Sequence, residues 1–268
     1  MCLALIAIEQ HPLFPLIILS NRDEFYHRAS SAADFWSEDP DVFSGRDLLQ
    51  NGTWLGVNRQ AHFGLVTNFR MPGEQQSSKR SRGWLVKDFL LSKTDSPRQF
   101  FEQLKPVAKQ YNRFNLIAGN LNEIYYYNNF NQQLLKLTPG VYGLSNHFLN
   151  SNWFKVNRAK ELYETINPLL LKQTEAEGLI SLLFSILSDR MQAPNDQLNN
   201  PGNHELEIGL SSIFLDLPTF AYGTNASSIL LFSPEEIVFA EKTFSSGQLK
   251  TQKTQKLSII KQSDSTSA

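Results

Sequence analysis

The sequence predicts an α+β protein in which antiparallel sheets are stacked and the helices are segregated from the strands. Runs of short strands alternate with runs of helices, which differs from the strict strand-helix repetition of a parallel α/β sheet. The strand-like segments are apolar or alternating, and Pro, Gly, Asn and Asp separate them, as is typical of hairpins. This order permits a four-layer αββα sandwich, which is the fold that we predict.

The sequence pattern in the first third of the chain predicts four strands followed by two helices. The second helix has a clear start, because Ser96 suits the N-cap, Pro97 the first helical position, and Gln99 completes a capping box. The predicted strands lie at residues 3–8, 16–20, 54–58 and 63–68.

The sequence pattern in the middle of the chain predicts a meander of three strands and then two longer helices. A capping box that starts at Thr174 opens the second of these helices. Residues 191–204 are polar and rich in helix breakers, so we expect an exposed loop of the kind that often borders a binding site. The strands are expected at 114–120, 123–128 and 134–137, and the helices at about 153–171 and 175–190.

The sequence pattern at the end of the chain predicts two more strands and a disordered tail. The strands are expected at 227–232 and 237–241. From residue 245 to residue 268, Ser, Thr, Gln and Lys dominate and apolar residues are few, which favours disorder. We therefore predict one domain over residues 1–244 and a polar tail over 245–268.

Composition limits the classes of partner. The formal charge of −1 argues against nucleic acid, because the cationic surface that attracts phosphates is missing. The single cysteine, Cys2, excludes an internal disulfide, and the five histidines show no metal-ligand spacing, so we expect neither metal nor cofactor. No apolar run reaches the roughly 20 residues of a membrane span, and no signal-peptide pattern is present. We expect a cytoplasmic protein that is not integral to a membrane, and its oligomeric state stays open.

Cys2 is the first candidate for chemistry. Removal of Met1 would leave a thiol and a free α-amino group on one residue. An α-amino group titrates at roughly 7.7–8.0, so a useful fraction is neutral near pH 7 and can accept the thiol proton. From its position alone, however, Cys2 is more often a small buried side chain at the start of a strand.

A polar group at residues 21–24 follows the strand that is expected to pair with the Cys2 strand. A hairpin would bring Arg22 and Asp23 beside residue 2, where Arg22 could lower the thiol pKa and Asp23 could hold the α-amino group. The alternative is a solvated charged turn.

Two asparagines at predicted strand ends are candidate oxyanion donors. Asn68 and Asn146 each carry an amide N–H that can stabilise a developing oxyanion, although strand-end asparagines are usually turn formers. Further polar side chains near these segments are candidates for substrate binding, namely Asn21, Glu24, Arg46, Asp47, Arg70 and Tyr142.

Nine short motifs occur in an order that resembles the NRDE family, also called the transport and Golgi organisation 2 family. The resemblance runs from residue 1 to about Phe244. The motifs are MCLALIAI, SNRDE, SGRD, NGTWLG, LVTNFR, SRGWL, FNLIAGN, VYGLSN and FAYGTN.

The resemblance implies an N-terminal-nucleophile fold of αββα type and raises the expectation that Cys2 is functional. The chain is also distantly similar to choloylglycine hydrolases and penicillin V acylases, which cleave amide bonds with an N-terminal cysteine. By motif, Cys2 matches the nucleophile, Arg22 and Asp23 match the Arg and Asp beside it, and Asn68 and Asn146 match the two amides. Asn225 departs from the pattern, because related sequences commonly have an arginine there.

Three hypotheses of function follow. The first is a Cys2 amidohydrolase or acyltransferase that acts on C–N bonds of an acyl amide. The second is a non-enzymatic carrier of an amphipathic ligand such as haem or acyl-CoA, since the resemblance also implies haem trafficking and lipid handling. The third is a structural or trafficking component in which the site is a relic.

Overall fold

The computed structural model describes residues 2–71, 76, 78–92, 94, 96–198 and 204–260. The strands are β1 (Leu3–Ile8), β2 (Leu16–Phe25), β3 (Ser30–Trp36), β4 (Asp39–Asp47), β5 (Leu55–Asn58), β6 (Phe63–Asn68), β7 (Phe114–Gly119), β8 (Ile124–Asn128), β9 (Gln133–Leu137), β10 (Gly140–Leu144), β11 (Asp216–Leu217), β12 (Tyr222–Phe232), β13 (Glu236–Ser245) and β14 (Gln248–Ser258). The helices are α1 (Gly83–Leu90), α2 (Pro97–Leu104), α3 (Phe154–Leu170), α4 (Ala176–Leu187) and α5 (His204–Leu210).

These strands form two antiparallel sheets. The first has the order β10-β1-β2-β12-β13-β14, with the short β11 paired to β12, and the second has the order β3-β4-β5-β6-β7-β8-β9. One apolar core fills the space between the sheets, a second lies between the first sheet and helices α3 and α4, and a third lies between the second sheet and helices α1 and α2. The predicted four-layer αββα sandwich is confirmed.

Strand β1 lies in the middle of this arrangement and is buried on both faces. Leu3 and Leu5 belong to the core under helices α3 and α4, whereas Ala4 and Ile6 belong to the core between the sheets. A strand covered on both faces has no polar positions to alternate with, which explains its continuous apolar sequence. Residue 2 is thereby fixed at the start of a strand that is buried on both faces.

Strand β2 is longer than the sequence predicts, and its extension carries the polar residues 21–24. It runs to Phe25, and Asn21 pairs with Leu3 of β1. The alternative of a solvated turn is therefore wrong, because the far end of β2 is hydrogen-bonded to β12 on its other side. The predicted hairpin that places this segment beside residue 2 is confirmed.

The predicted tail is wrong over residues 248–258, which form strand β14. Ser246 and Gly247, both with positive φ, form a two-residue turn between β13 and β14. Most side chains of β14 are exposed, and only Leu257 is fully buried. A polar, Lys-containing sequence suits an edge strand, where it opposes pairing with other chains. Residues 261–268 of the predicted tail lie outside the described residues.

The predicted helix caps are confirmed in one case and wrong in the other. The Ser96 side chain accepts a hydrogen bond from the Gln99 N–H at 3.4 Å, as the predicted N-cap of α2 should. The N-cap of α4 is Glu175 rather than Thr174, and its side chain caps no N–H. In the described part of the chain, no helix is long and apolar enough to cross a membrane.

One buried carboxylate joins the two sheets. Glu241 of β13 accepts a hydrogen bond from the Ala33 N–H of β3 at 2.7 Å and another from the Ser228 hydroxyl at 3.2 Å. Burial raises the pKa of Glu241 to about 7. The interior of the sandwich therefore contains an acidic group that titrates near neutral pH.

Candidate active site

Residue 2 is held by the segment that follows β10, one of the two strands that flank β1. Its backbone nitrogen donates a hydrogen bond to Asn146 Oδ1 at 2.9 Å, and its carbonyl accepts one from Ser145 Oγ at 2.8 Å. Both partners follow directly after β10, which pairs with β1. Asn146 also donates from Nδ2 to the Asn68 carbonyl at 2.8 Å, which connects the first sheet to the end of β6 in the second. The nitrogen of Cys2 is thereby fixed at the junction of the two sheets.

The Cys2 side chain lines a small cavity of about 90 Å³. Burial raises the pKa of the Cys2 thiol, the positive charges of the N-terminal amino group and of Arg22 oppose the shift, and the Asp23 carboxylate adds to it. The thiol is therefore mostly protonated near neutral pH. A nucleophile in this state needs a base that removes its proton at the moment of attack.

The Arg22 guanidinium is one wall of this cavity and is only 5% exposed. It lies 4.4 Å from the centre of the Trp54 ring, donates to the Ser30 hydroxyl at 3.4 Å, and is 4.0 Å from the nearer Asp47 oxygen. An aromatic face holds a desolvated guanidinium without consuming its N–H groups. The conformation of Arg22 is therefore fixed before any ligand binds.

Asp23 lies behind the cavity in a fully buried ion pair. Its Oδ1 accepts a hydrogen bond from the Thr224 hydroxyl at 2.7 Å, and its Oδ2 is 3.7 Å from Lys155 Nζ. Burial raises the pKa of Asp23 and lowers the pKa of Lys155, while the attraction between the two charges opposes both shifts. The amino group of Lys155, from helix α3, therefore faces the carboxyl group beside Cys2.

A larger cavity of about 530 Å³ adjoins the small one. Both are lined by Glu24, Arg28, Asn68 and Arg82. The remaining wall is mainly apolar and aromatic and also contains two more arginines. These lining residues are Phe25, Phe69, Arg70, Met71, Asn112, Arg113, Asn146, Leu206, Leu210, Phe220 and Tyr222. A space with apolar walls and several guanidinium groups is suited to an amphipathic ligand.

Most residues predicted for the site are brought together. The small cavity is lined by Cys2, Arg22, Asp23, Glu24, Asp47 and Asn68, and the larger one also by Arg70 and Asn146. The position of Asn146 differs from that of a simple oxyanion donor, because its amide holds two backbone groups. Arg70 is already paired with Glu207 of helix α5, with Nη1 3.0 Å from Oε2.

Three predicted substrate-binding residues are not brought to either of these two cavities. Asn21 is completely buried and donates to the carbonyls of Leu187 and Ile213, because its side chain points under helix α4. The remaining two are used in local contacts outside both cavities: Arg46 pairs with Glu38, and the Tyr142 hydroxyl hydrogen-bonds to Thr138.

Lys155 and Arg82 lie at the candidate site but were not predicted from the sequence. Lys155 shares the buried face of helix α3 with Val156 and Ala159, so a lysine at an apolar position was the available signal. Arg82 lies in the motif SRGWL, just before helix α1. In the part of the chain that the structure describes, no group of three or more His, Cys, Asp or Glu side chains is placed to hold a metal ion.

The solved structure of a variant of conjugated bile acid hydrolase from Clostridium perfringens has a similar fold. The TM-score is 0.50 at 10% identity, and the match covers 99% of this chain and 100% of that chain. At this identity the likeness concerns the fold alone. The sandwich described above is thus of the N-terminal-nucleophile hydrolase type, as the resemblance in the sequence implied.

Curated relatives match over nearly the whole chain. The transport and Golgi organization protein 2 homolog of Bos taurus is 32% identical over 262 residues, which cover 91% of this chain and 93% of the relative. The transport and Golgi organization protein 2 of Drosophila melanogaster is 28% identical over 264 residues, which cover 91% of this chain and 92% of the relative. The model of the family "Transport and Golgi organisation 2" matches residues 1–246. The chain belongs to the transport and Golgi organisation 2 family.

Proposed function

We propose that the protein is an N-terminal-nucleophile amidohydrolase or acyltransferase that acts on C–N bonds through Cys2. The observation that carries this proposal is the position of residue 2. Its nitrogen is fixed by Asn146, and its side chain lines a cavity next to Arg22 and Asp23. A nucleophile at the end of a buried central strand, beside a larger ligand-sized cavity, is suited to attack a bound carbonyl group.

The reaction starts after Met1 has been removed. The α-amino group of Cys2 takes the thiol proton, and the thiolate adds to the amide carbonyl to give a tetrahedral oxyanion. The C–N bond then breaks, the amine leaves with the proton, and a thioester remains on Cys2. Water hydrolyses the thioester to a carboxylic acid and restores the thiol, or a second amine accepts the acyl group.

The surrounding residues have separate roles in this scheme. Asn146 Oδ1 orients the Cys2 nitrogen, which is the base, and the Asn68 amide donates to the oxyanion. Asp23 and Lys155 set the charge next to the α-amino group. The raised pKa of the Cys2 thiol is consistent with this scheme, because a protonated thiol requires the internal base that the α-amino group supplies.

Intact-protein mass spectrometry tests the proposal. We expect purified protein without Met1 to gain one acyl mass when it is mixed with an activated acyl donor such as a p-nitrophenyl ester and quenched in acid. The adduct should be sensitive to hydroxylamine, as a thioester is, and absent from Cys2→Ala. Equal labelling of wild type and Cys2→Ala, or no labelling of the wild type, would overturn the proposal.

A second candidate function is a carrier of an amphipathic ligand such as haem or an acyl-CoA. The larger cavity favours it, because apolar walls and arginines occur together there. In this case the cavity would bind without turnover, and Cys2→Ala would bind as well as wild type. Titration with haem and with a medium-chain acyl-CoA distinguishes the candidates, since a carrier saturates at micromolar ligand and forms no adduct.

A cytoplasmic location belongs to the same proposal. A thiol nucleophile must stay reduced, and the reducing cytosol keeps it so. Cell fractionation followed by immunoblotting checks this, and enrichment in an oxidising compartment would contradict it.

A further inference from the structure

Arg82 lies at the point where the two cavities meet. It directly precedes helix α1, and it lines both the small cavity that contains Cys2 and the larger cavity beside it. It is partly buried, and burial lowers its pKa. A guanidinium in this position can contact a substrate that is bound for attack by Cys2.

The other guanidinium groups near the junction already have acidic or aromatic partners. Arg28 donates to Asp47 Oδ2 from Nε at 2.9 Å and from Nη2 at 2.6 Å. Arg70 is paired with Glu207, and Arg22 is stacked on Trp54. These charges are therefore largely balanced by the protein itself.

Arg82 differs from these arginines. Its Nη1 donates to the Arg113 carbonyl at 3.2 Å, and within the described ranges no carboxylate oxygen lies within 4.0 Å of it. Glu24, which lines both cavities, attracts this charge from farther away, but a guanidinium that loses water without a hydrogen-bonded carboxylate is still costly, and an arriving anion would reduce this cost. The planar fork of an arginine also matches carboxylate and phosphate oxygens in a bidentate way.

We propose that Arg82 is a specificity-determining residue that binds an anionic group of the substrate at the junction of the two cavities. The substrate class is then an acyl amide with a negative charge close to its scissile bond and an apolar chain in the larger cavity. This inference rests on the function proposed for Cys2, because it places the scissile bond in the small cavity.

The test measures binding without turnover, in full-length protein carrying Cys2→Ala. Isothermal titration compares N-octanoylglycine, N-octanoyl-O-phosphoethanolamine and the neutral carboxamide of N-octanoylglycine. A hydrogen-bonded charge pair of this kind gives about a 10- to 100-fold preference for the anion over the carboxamide. The ratio between the two anions shows whether a carboxylate or a phosphate fits better, and a preference for either one supports the inference.

The decisive comparison adds a second substitution. Arg82→Gln should reduce the preference for the anions to less than about 3-fold, and Arg82→Lys should restore part of it because the charge returns without the fork. Arg46→Gln is the matched control, since Arg46 lies outside both cavities, and it should leave the preference unchanged. The melting temperature of each variant checks that it is folded.

Two results would overturn the inference. One is an unchanged preference in folded Arg82→Gln, and the other is no preference, or no saturable binding of either anion, in the Cys2→Ala parent. These results are separate from a failure of the proposed function, which appears as an absence of acyl adduct in the wild type with a neutral donor.

Discussion

The buried ion pair behind Cys2 gives a sharp prediction about stability. Lys155→Met keeps an unbranched side chain of similar length on helix α3 but removes the charge that faces Asp23 at 3.7 Å. Removing one partner of a buried ion pair costs about 3–5 kcal/mol, because the other charge remains buried and uncompensated. For a chain of this size, a loss of this magnitude lowers the melting temperature by about 5–9 °C.

The loss of unfolding free energy should depend on pH, because protonation of Asp23 removes the buried negative charge. Burial already raises the pKa of Asp23, and without Lys155 the opposing attraction disappears, so the pKa rises further. When folding raises the pKa of a carboxyl group, the protonated group stabilises the folded state. This stabilisation is fully present below the pKa of the unfolded state, about 3.9, and is lost as the pH rises through the pKa of the folded state. The difference between wild type and Lys155→Met should therefore be small near pH 4 and largest near pH 8.

Urea unfolding followed by circular dichroism at about pH 4.5, 6 and 8 measures this difference. Lys172→Met is the matched control, because Lys172 is exposed just beyond the end of helix α3, and it should change the free energy of unfolding by less than about 0.5 kcal/mol. A loss for Lys155→Met that is below about 1 kcal/mol at pH 8, or that is the same at all three pH values, would refute the reasoning.

Three further predictions concern other parts of the molecule. In the wild type, the free energy of unfolding should fall by about 3 kcal/mol as the pH rises from 4.5, the ordinary pKa of a glutamate, through about 7, the pKa of buried Glu241. Glu241→Gln should remove this fall, whereas Glu235→Gln, at an exposed position, should leave it unchanged. Urea unfolding across this pH range checks both variants. Gly52→Ala should destabilise by about 1–3 kcal/mol, because a Cβ there would lie 2.6 Å from the Gly83 backbone; thermal melting shows it, and an unchanged melting temperature would contradict it. Asn146→Leu should slow acylation by about 10²-fold or more while leaving ligand binding within a few-fold, as measured by single-turnover mass spectrometry; an unchanged acylation rate argues against its positioning role.

The strands that position the site are predictable, because their physical cause is local. Strand β1 is apolar throughout, and strand β2 follows it after a short turn, so the two must pair. Once they pair, Arg22 and Asp23 lie beside residue 2 whatever the rest of the fold does. This is why the sequence places Arg22 and Asp23 beside Cys2, whereas the expectation that Cys2 is functional came from the family resemblance.

The parts that were missed are polar strands and contacts between distant segments. Strand β14 is polar and mostly exposed, and in β3 only Ala33 and Trp36 are buried, three positions apart, so a hydrophobic period of two marks neither strand. Lys155 reaches Asp23 only because helix α3 packs over the first sheet, more than 130 residues along the chain from β2. The side chain of Asn21 similarly points under helix α4, and nothing in its neighbouring residues indicates on which face of β2 it lies.

The central claim is that Cys2 is a nucleophile and that its own α-amino group is the base. It is tested most directly by comparing the acylation rate of protein that begins at Cys2 with that of protein carrying a Gly-Ser extension before Cys2, using intact mass after rapid quenching. The account predicts that the adduct maps to Cys2 and that the extension slows its formation by about 10²- to 10⁴-fold, because a peptide nitrogen cannot accept the thiol proton. Equal rates for the two proteins would contradict the account.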